Sequence, residues 1–125
     1  MKTLRSIRWI NDRLKDCRCD AGFLSDAKKA RRPIERLIRE AGLTVVRHAA
    51  YQFDHGGFTA VWLFKQSHLS LHSWPEHDFI TLSLEVCSFR GDDASKIGRL
   101  HAGLLELFKP KESHPHKLTT NFAQK

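Results

Sequence analysis

The side chains with the clearest capacity for chemistry lie between residues 67 and 87. Ser67 and Cys87 place a hydroxyl and a thiol 20 residues apart, and both groups are common nucleophiles. His68, His72 and His77 fall within ten residues, and alternating histidines on one strand face can ligate a metal. The companion ligands and spacing of a strong zinc pattern are missing, so we predict no metal site. Taken singly, these residues are equally typical of a strand-edge serine, surface histidines and a small buried thiol.

A longer pattern connects them. Residues 65–77 read KQSHLSLHSWPEH. This run resembles the processing-site motif of the prokaryotic S-adenosylmethionine decarboxylases, roughly E-S-H-[IL]-[ST]-[IL]-H-T-[WY]-P-E, and agrees with it in order at eight or more positions. Cys87 stands at the spacing where that family carries its catalytic cysteine. Thr59 and Phe53 occupy the positions of a small hydroxyl residue and a substrate-stacking aromatic, so the resemblance is most specific over residues 53–87.

The resemblance implies that the chain makes its own cofactor. In this family the serine hydroxyl attacks the carbonyl of the preceding residue, the ester undergoes β-elimination, and the product hydrolyses to a pyruvoyl group. Here that implies self-cleavage between Gln66 and Ser67 into fragments 1–66 and 67–125. The pyruvoyl ketone would form a Schiff base with the substrate amine and act as an electron sink when carbon dioxide leaves.

Roles carry over residue by residue. By resemblance, His72 withdraws the proton that drives elimination, and Cys87 reprotonates the decarboxylated carbon. Glu76 matches the acidic residue that reaches the nucleoside ribose, although a turn carboxylate can simply be solvated. Phe53 either stacks on adenine or belongs to the core. Thr59 either assists processing or only favours its strand.

Several positions depart from the family pattern. Gln66 replaces the usual glutamate before the scissile bond, which does not block the acyl shift because only the backbone carbonyl is attacked. Ser88-Phe89 stands where glycine is usual, and residues 77–79 replace a more aromatic, glycine-containing turn. Residues 15–19 are unusually charged for the first strand. The reaction type is therefore better indicated than the substrate.

We predict a decarboxylase that acts on S-adenosylmethionine and supplies the aminopropyl donor for spermidine synthesis. The nearest alternative keeps the pyruvoyl chemistry and uses a free amino acid such as ornithine or arginine. A third is a non-enzymatic basic protein that binds metal or nucleic acid, because the net charge is +7 and a basic surface attracts phosphate. Residues 1–42 hold 12 Lys and Arg against 6 Asp and Glu. The excess lies in this third of the chain, as is typical of a solvated basic face, so we do not expect nucleic-acid binding.

Alternation and turn residues predict the strands that must position these side chains. They are residues 43–53, 58–64, 67–74 and 79–87, with a weaker edge strand near 118–122. One helix is predicted from a Ser25 cap to Gly42, with Pro33 either kinking it or marking its first turn. A second runs from Asp92 or Asp93 to Pro110. These elements favour an α+β two-layer sandwich of the S-adenosylmethionine decarboxylase type, an antiparallel sheet with two helices on one face.

Hairpin geometry adds a constraint on the proposed site. With residues 75–78 as the loop, Ser67 lies across from Val86 and next to Cys87. His72 is five residues away, roughly 16 Å at about 3.3 Å per residue, and strand parity places it on the opposite face from Ser67. Either the strand breaks at Ser67, or His72 serves the site of a neighbouring protomer. We therefore predict a homodimer with shared sites.

Size and composition indicate a single domain over residues 1–125, long enough to bury one core. No apolar stretch approaches the roughly 18 residues of a membrane span, so we predict no membrane association. Cys17, Cys19 and Cys87 cannot all pair with one another. Free thiols in a reducing compartment fit better, which favours the cytoplasm.

Overall fold

The computed structural model describes residues 3–89 and 95–123, which form one antiparallel sheet and three helices. The elements are β1 (Ser6–Cys17), α1 (Gly22–Ser25), α2 (Ala27–Glu40), β2 (Val45–Gln52), β3 (Phe58–Phe64), β4 (Ser67–Trp74), a 3₁₀ turn (Pro75–His77), β5 (Phe79–Ser88), α3 (Lys96–Phe108), β6 (Pro110–Ser113) and β7 (His116–Asn121). The strand order is β2-β3-β4-β5-β1-β6, and β7 also pairs with β1. No helix within the described ranges is long and apolar enough to cross a membrane.

The hydrophobic core lies between one face of the sheet and the two long helices. β5 has the predicted alternation, because its even-numbered positions from Ile80 to Ser88 are buried and its odd-numbered positions are partly exposed. The helices cover this face with buried aliphatic side chains, among them Ile34, Ile38, Leu100 and Leu104. The α+β two-layer architecture predicted from the sequence is thus confirmed. We call the uncovered side, which carries the odd-numbered residues of β5, the open face.

The ends of α2 explain its length. Asp26, not the predicted Ser25, caps the helix, because its carboxylate accepts a 2.9 Å hydrogen bond from the Lys28 amide. Gly42 follows the C-cap with a φ of 87°, and the next amide returns to the carbonyl of Ile38 at 3.1 Å, which closes a Schellman motif. Pro33 lies inside the helix, so it does not mark the first turn.

The helix predicted after Asp92 or Asp93 is α3, which begins at Lys96 with Ser95 as its N-cap residue. Both predicted caps lie outside the described residues. The helix ends at Phe108, two residues before Pro110, as expected from a residue that cannot continue a helix.

β1 lies between β5 and the last two strands, and it contains a buried carboxylate. The Asp12 side chain is fully buried and lies 2.7 Å from Nε2 of His101 on α3. It also accepts a 2.6 Å hydrogen bond from Ser113 Oγ and a 2.8 Å bond from the His114 amide. Because a buried carboxylate without partners would be strongly unfavourable, these contacts fasten α3 and the segment after β6 to β1.

The β2–β3 turn is fixed from inside by an amide side chain. Gln52 accepts a 2.8 Å hydrogen bond from the Ala27 amide and donates to the carbonyls of Ser25 and Gly57 at 2.7 and 3.0 Å. Gly57 has a φ of 91°, and a Cβ there would lie 2.8 Å from the carbonyl oxygen of Ser73. Gln52 thereby fastens the turn to the start of α2, while position 57 lies too close to β4 for a residue larger than glycine.

Candidate active site

Ser67 opens β4 in a conformation that L residues rarely adopt. It pairs with Val86, as the hairpin register predicted, but its φ is 144°. A regular strand would point this side chain toward the helices. Instead, Ser67 Oγ donates a 3.1 Å hydrogen bond to Oε2 of Glu85 on the open face. Of the two alternatives that the hairpin geometry left open, the strand therefore breaks at Ser67, and the Ser67 hydroxyl turns to the face that strand parity gave to His72.

The carbonyl before Ser67 is also held by β5. The Cys87 amide donates a 2.8 Å hydrogen bond to the carbonyl oxygen of Gln66. An N–H group in this position polarises a carbonyl and stabilises negative charge on its oxygen. The Gln66 side chain turns away, since its Oε1 accepts a 3.4 Å bond from the Thr44 amide. The Gln66 side chain therefore does not block its own carbonyl, and β5 contacts both this carbonyl and the Ser67 hydroxyl.

The Cys87 thiol shares the open face with Glu85 and is partly buried. Burial raises the pKa of the Cys87 thiol, and the neighbouring Glu85 charge raises this pKa further. A raised thiol pKa keeps the proton on sulfur at neutral pH. The environment therefore favours a proton-carrying Cys87 over a thiolate nucleophile.

His72 lies farther along β4, beside Thr59. The register pairs His72 with Thr59 of β3 on one side and with Thr81 of β5 on the other. The Oγ1 of Thr59 lies 3.0 Å from Nδ1 of His72. On the same strand the Trp74 ring lies 6.1 Å from the His72 ring, measured between centroids. The hydroxyl fixes one ring nitrogen of His72 and orients the imidazole on the open face.

Phe53 and Glu76 lie at the same end of the sheet as His72. Phe53 follows β2, is 40% exposed, and has its ring 5.2 Å from the Tyr51 ring in an edge-on arrangement. Its exposure does not support the interpretation of Phe53 as a core residue. Glu76 is exposed within the 3₁₀ turn that follows Trp74. An aromatic ring and a carboxylate are thus both accessible near the His72 end.

The predicted residues, together with Glu85, divide into two groups along β4. The Ser67 group consists of Gln66, Ser67, Glu85 and Cys87. The His72 group consists of Phe53, Thr59, His72 and Glu76. Five strand residues separate the two groups, roughly 16 Å at about 3.3 Å per residue. One chain therefore brings Ser67 to Cys87 but does not bring His72 to Ser67.

Two further residues lie beside Ser67: Glu85, which the sequence analysis did not single out, and His68, which it considered only as one of three clustered histidines. Glu85 contacts the Ser67 hydroxyl, and Nδ1 of His68 lies 3.2 Å from the same oxygen. Glu85 could have been found from the sequence, because it lies two residues before Cys87 and alternation places both side chains on one face of the strand. In residues 3–89 and 95–123, no three His, Cys, Asp or Glu side chains come together as a metal-binding group.

Comparison with known proteins decides the family. The sequence profile of S-adenosylmethionine decarboxylase matches residues 14–120. The chain belongs to the S-adenosylmethionine decarboxylase family. The S-adenosylmethionine decarboxylase proenzyme of Archaeoglobus fulgidus is 36% identical over 83 residues, which cover 66% of this chain and 70% of that protein. The proenzyme of Aquifex aeolicus is 33% identical over 92 residues, with 74% and 65% covered.

A solved structure supports the same family at the level of the fold. The crystal structure of the Aquifex aeolicus adenosylmethionine decarboxylase superposes with a TM-score of 0.82 and 26% identity, covering 98% of this chain and 96% of that one. The match extends beyond the motif around Ser67 to nearly the whole chain. The resemblance seen in residues 53–87 therefore reflects membership of the S-adenosylmethionine decarboxylase family throughout the sheet and its helices.

Proposed function

We propose that this chain is the proenzyme of a pyruvoyl-dependent decarboxylase that converts S-adenosylmethionine to decarboxylated S-adenosylmethionine. It cleaves itself between Gln66 and Ser67, within a single domain of residues 1–125, and yields fragments 1–66 and 67–125. One observation carries the proposal. At a φ of 144°, Ser67 has its hydroxyl hydrogen-bonded to β5, while the carbonyl that this hydroxyl must attack accepts a bond from the Cys87 amide.

The backbone conformation of Ser67 supports cleavage at this bond. A non-glycine residue at such a φ costs on the order of 1–3 kcal/mol. Cleavage breaks the bond between the Gln66 carbonyl carbon and the Ser67 nitrogen, which removes the peptide that defines this φ. The strain is present before the reaction and absent after it. The Cys87 amide can meanwhile stabilise negative charge on the Gln66 oxygen as the hydroxyl adds.

The residues around Ser67 fit a pyruvoyl group formed there. Such a group supplies an electron sink for loss of carbon dioxide from the carbon that bears the substrate amine. Cys87 lies on the same face as Glu85 and carries a thiol whose pKa is raised by burial and by that carboxylate. A protonated thiol at this place can return a proton to the substrate carbon after decarboxylation. We assign that role to Cys87.

The His72 group completes the site from a second copy of the chain. We assign to His72 the removal of the Ser67 α-proton during elimination, and to Thr59 the positioning of its ring through the 3.0 Å contact. Neither can act on Ser67 of its own chain across five strand residues. A twofold axis through the open face, between the two groups, would bring each to its counterpart.

The apolar content of the open face supports this dimer. Val61, Leu63 and Trp74 are 40%, 46% and 39% exposed, and all three follow the parity of the open face on β3 and β4. Leu63 pairs with His68 next to Ser67, whereas Trp74 lies at the His72 end. A second sheet stacked on this face would remove these side chains from water, which is favourable by about 25 cal/mol per Å² of apolar area.

Three considerations favour S-adenosylmethionine over ornithine or arginine. The relatives cited above are named for S-adenosylmethionine. Phe53 offers an exposed ring that suits an adenine, and Glu76 offers an exposed carboxylate that suits ribose hydroxyls. Ornithine and arginine have no aromatic base to stack on the Phe53 ring. We place the reaction in the cytoplasm, because all three cysteines are unpaired and a free catalytic thiol suits a reducing compartment.

Intact-mass measurement of freshly expressed protein tests the proposal. We expect fragments 1–66 and 67–125, the second beginning with pyruvate and reacting with a carbonyl reagent, while Ser67→Ala remains one chain. The processed protein should release carbon dioxide from carboxyl-labelled S-adenosylmethionine and not from ornithine or arginine. A chain that stays intact after long incubation, without carbonyl labelling, would refute self-processing. Release of carbon dioxide from ornithine or arginine, and none from S-adenosylmethionine, would refute the substrate assignment.

A further inference from the structure

Glu85 is a carboxylate on the open face that contacts the reacting oxygen. We propose that Glu85 is the base that takes the hydroxyl proton from Ser67 in the first step of self-cleavage. This inference rests on the function proposed above and adds a catalytic residue to it. The Glu85 side chain is 22% exposed, and its Oε2 accepts the hydroxyl of Ser67 at 3.1 Å.

The direction of that hydrogen bond decides which group can act as the base. An ionised carboxylate only accepts, so the single hydroxyl proton of Ser67 points to Glu85. His68 Nδ1 lies 3.2 Å from the same hydroxyl and 3.5 Å from Glu85 Oε2. With the hydroxyl proton directed at Glu85, a protonated Nδ1 would donate to this pair of oxygens and orient them. His68 is accordingly a positioning residue.

Both ends of the forming bond are served by β5. A serine hydroxyl is a weak nucleophile until its proton has an acceptor, and Glu85 supplies one. The electrophile is the Gln66 carbonyl, whose oxygen accepts the 2.8 Å bond from the Cys87 amide. Negative charge thus faces the nucleophile and a positive dipole faces the oxygen that becomes negative. His72 cannot take this role in the same chain, because it pairs with Thr81, five residues along β4.

The step balances without another reactant. As Ser67 Oγ bonds to the Gln66 carbonyl carbon, Glu85 takes the hydroxyl proton and the carbonyl oxygen becomes negative. When the oxygen reforms its double bond, the bond to the Ser67 nitrogen breaks. Glu85 then returns its proton to that nitrogen, which leaves an ester, a free amine and an ionised Glu85.

Glu85→Gln tests the assignment because the amide is nearly isosteric and is a far weaker base. We expect the first-order rate of fragment formation to fall on the order of 10²- to 10⁴-fold, the usual contribution of a positioned general base. Hydroxylamine cleaves esters, so it identifies the stalled step. It should release fragments from His72→Ala, which stalls after the ester, and none from Glu85→Gln. Glu106→Gln, on an exposed position of α3, removes a carboxylate elsewhere and should cleave at the wild-type rate.

The outcomes separate this inference from the proposed function. If the wild-type chain never cleaves, self-processing itself fails. If the wild type cleaves and Glu85→Gln cleaves equally fast, or if hydroxylamine releases fragments from Glu85→Gln as fast as from His72→Ala, Glu85 is not the base. A slow His68→Ala beside a normal Glu85→Gln would give the role to His68. Should circular dichroism show that Glu85→Gln is unfolded, Glu85→Asp decides: we expect at least about tenfold slower cleavage, and an unchanged rate overturns the assignment.

Discussion

Coexpression of two inactive chains tests whether sites are shared between protomers. One chain carries Ser67→Ala and cannot supply the nucleophile; the other carries His72→Ala and cannot supply the imidazole. Each alone should remain uncleaved. In a mixed dimer with shared sites, one site has neither residue and the other has both, so cleavage should occur only in the His72→Ala chain.

The structure sets the size of the expected effect. Within one chain, Ser67 and His72 are separated by five strand residues, roughly 16 Å, whereas proton transfer needs roughly 3 Å. No rotamer of either side chain spans that distance, so rescue within a chain should be absent. If chains pair at random in equal amounts, about half of the His72→Ala chains meet a Ser67→Ala partner in a twofold dimer. Cleavage should therefore plateau near half of that chain.

Different affinity tags on the two chains make the assay quantitative. Tandem purification isolates mixed dimers, and mass spectrometry gives the cleaved fraction of each chain. Cleavage of nearly all His72→Ala chains in the purified mixed dimer supports a site built by two protomers. An uncleaved but verified mixed dimer would mean that each chain builds its own site. Efficient cleavage of His72→Ala alone would show that cleavage does not need His72, which would refute its assigned role.

Three further predictions concern single residues. His72→Ala should stall maturation, whereas Cys87→Ala should still cleave but decarboxylate its substrate slowly. Gels measure the first defect and decarboxylation assays the second. Equal cleavage with normal activity in both variants would contradict the assignments. Burial and the Glu85 charge raise the Cys87 pKa, so less thiolate is present at a given pH. At a pH of about 8.5, the ordinary thiol pKa, iodoacetamide should therefore label Cys87 more slowly in the folded chain than in urea. Equal labelling rates would contradict this. Asp12→Ala should lower the free energy of unfolding by about 3 kcal/mol, because it leaves buried hydrogen-bonding groups of His101, Ser113 and His114 without their partner. Urea titration against the exposed control Asp54→Ala measures the difference, and equal midpoints would exclude the effect.

Sequence patterns were sufficient where one physical rule acted alone. The alternation from Phe79 onward predicted β5, and the loop at residues 75–78 fixed the register that places Ser67 opposite Val86. Residues 43–53 also gave β2 within a residue or two, because turn residues bound it. In each case side-chain period and turn chemistry agree, and nothing distant opposes them.

Predictions failed where distant contacts override the local pattern. Asp12 interrupts the apolar face of β1, and its buried side chain is hydrogen-bonded by His101, Ser113 and His114, nearly ninety or more residues away in sequence. Ser67 was assigned to the helix face by strand parity, but its positive φ turns the hydroxyl to the open face. Hairpin geometry gave a break at Ser67 as one of two alternatives, but it could not give the conformation, because a strained residue is held by the surrounding structure.

The geometry of β5 explains how two residues can take part both in self-cleavage and in the later decarboxylation. The side chains of Glu85 and Cys87 share a strand face. The Cys87 amide instead points along the plane of the sheet, toward the Gln66 carbonyl in the β3–β4 turn. Two residues therefore offer three groups around the Gln66–Ser67 bond: the Glu85 carboxylate, the Cys87 amide and the Cys87 thiol. The same carboxylate that would take the Ser67 proton before cleavage also keeps Cys87 protonated afterwards. A Glu85→Gln chain that does mature, however slowly, should thus have a lower Cys87 pKa, because loss of the charge removes one of the two causes that raise it.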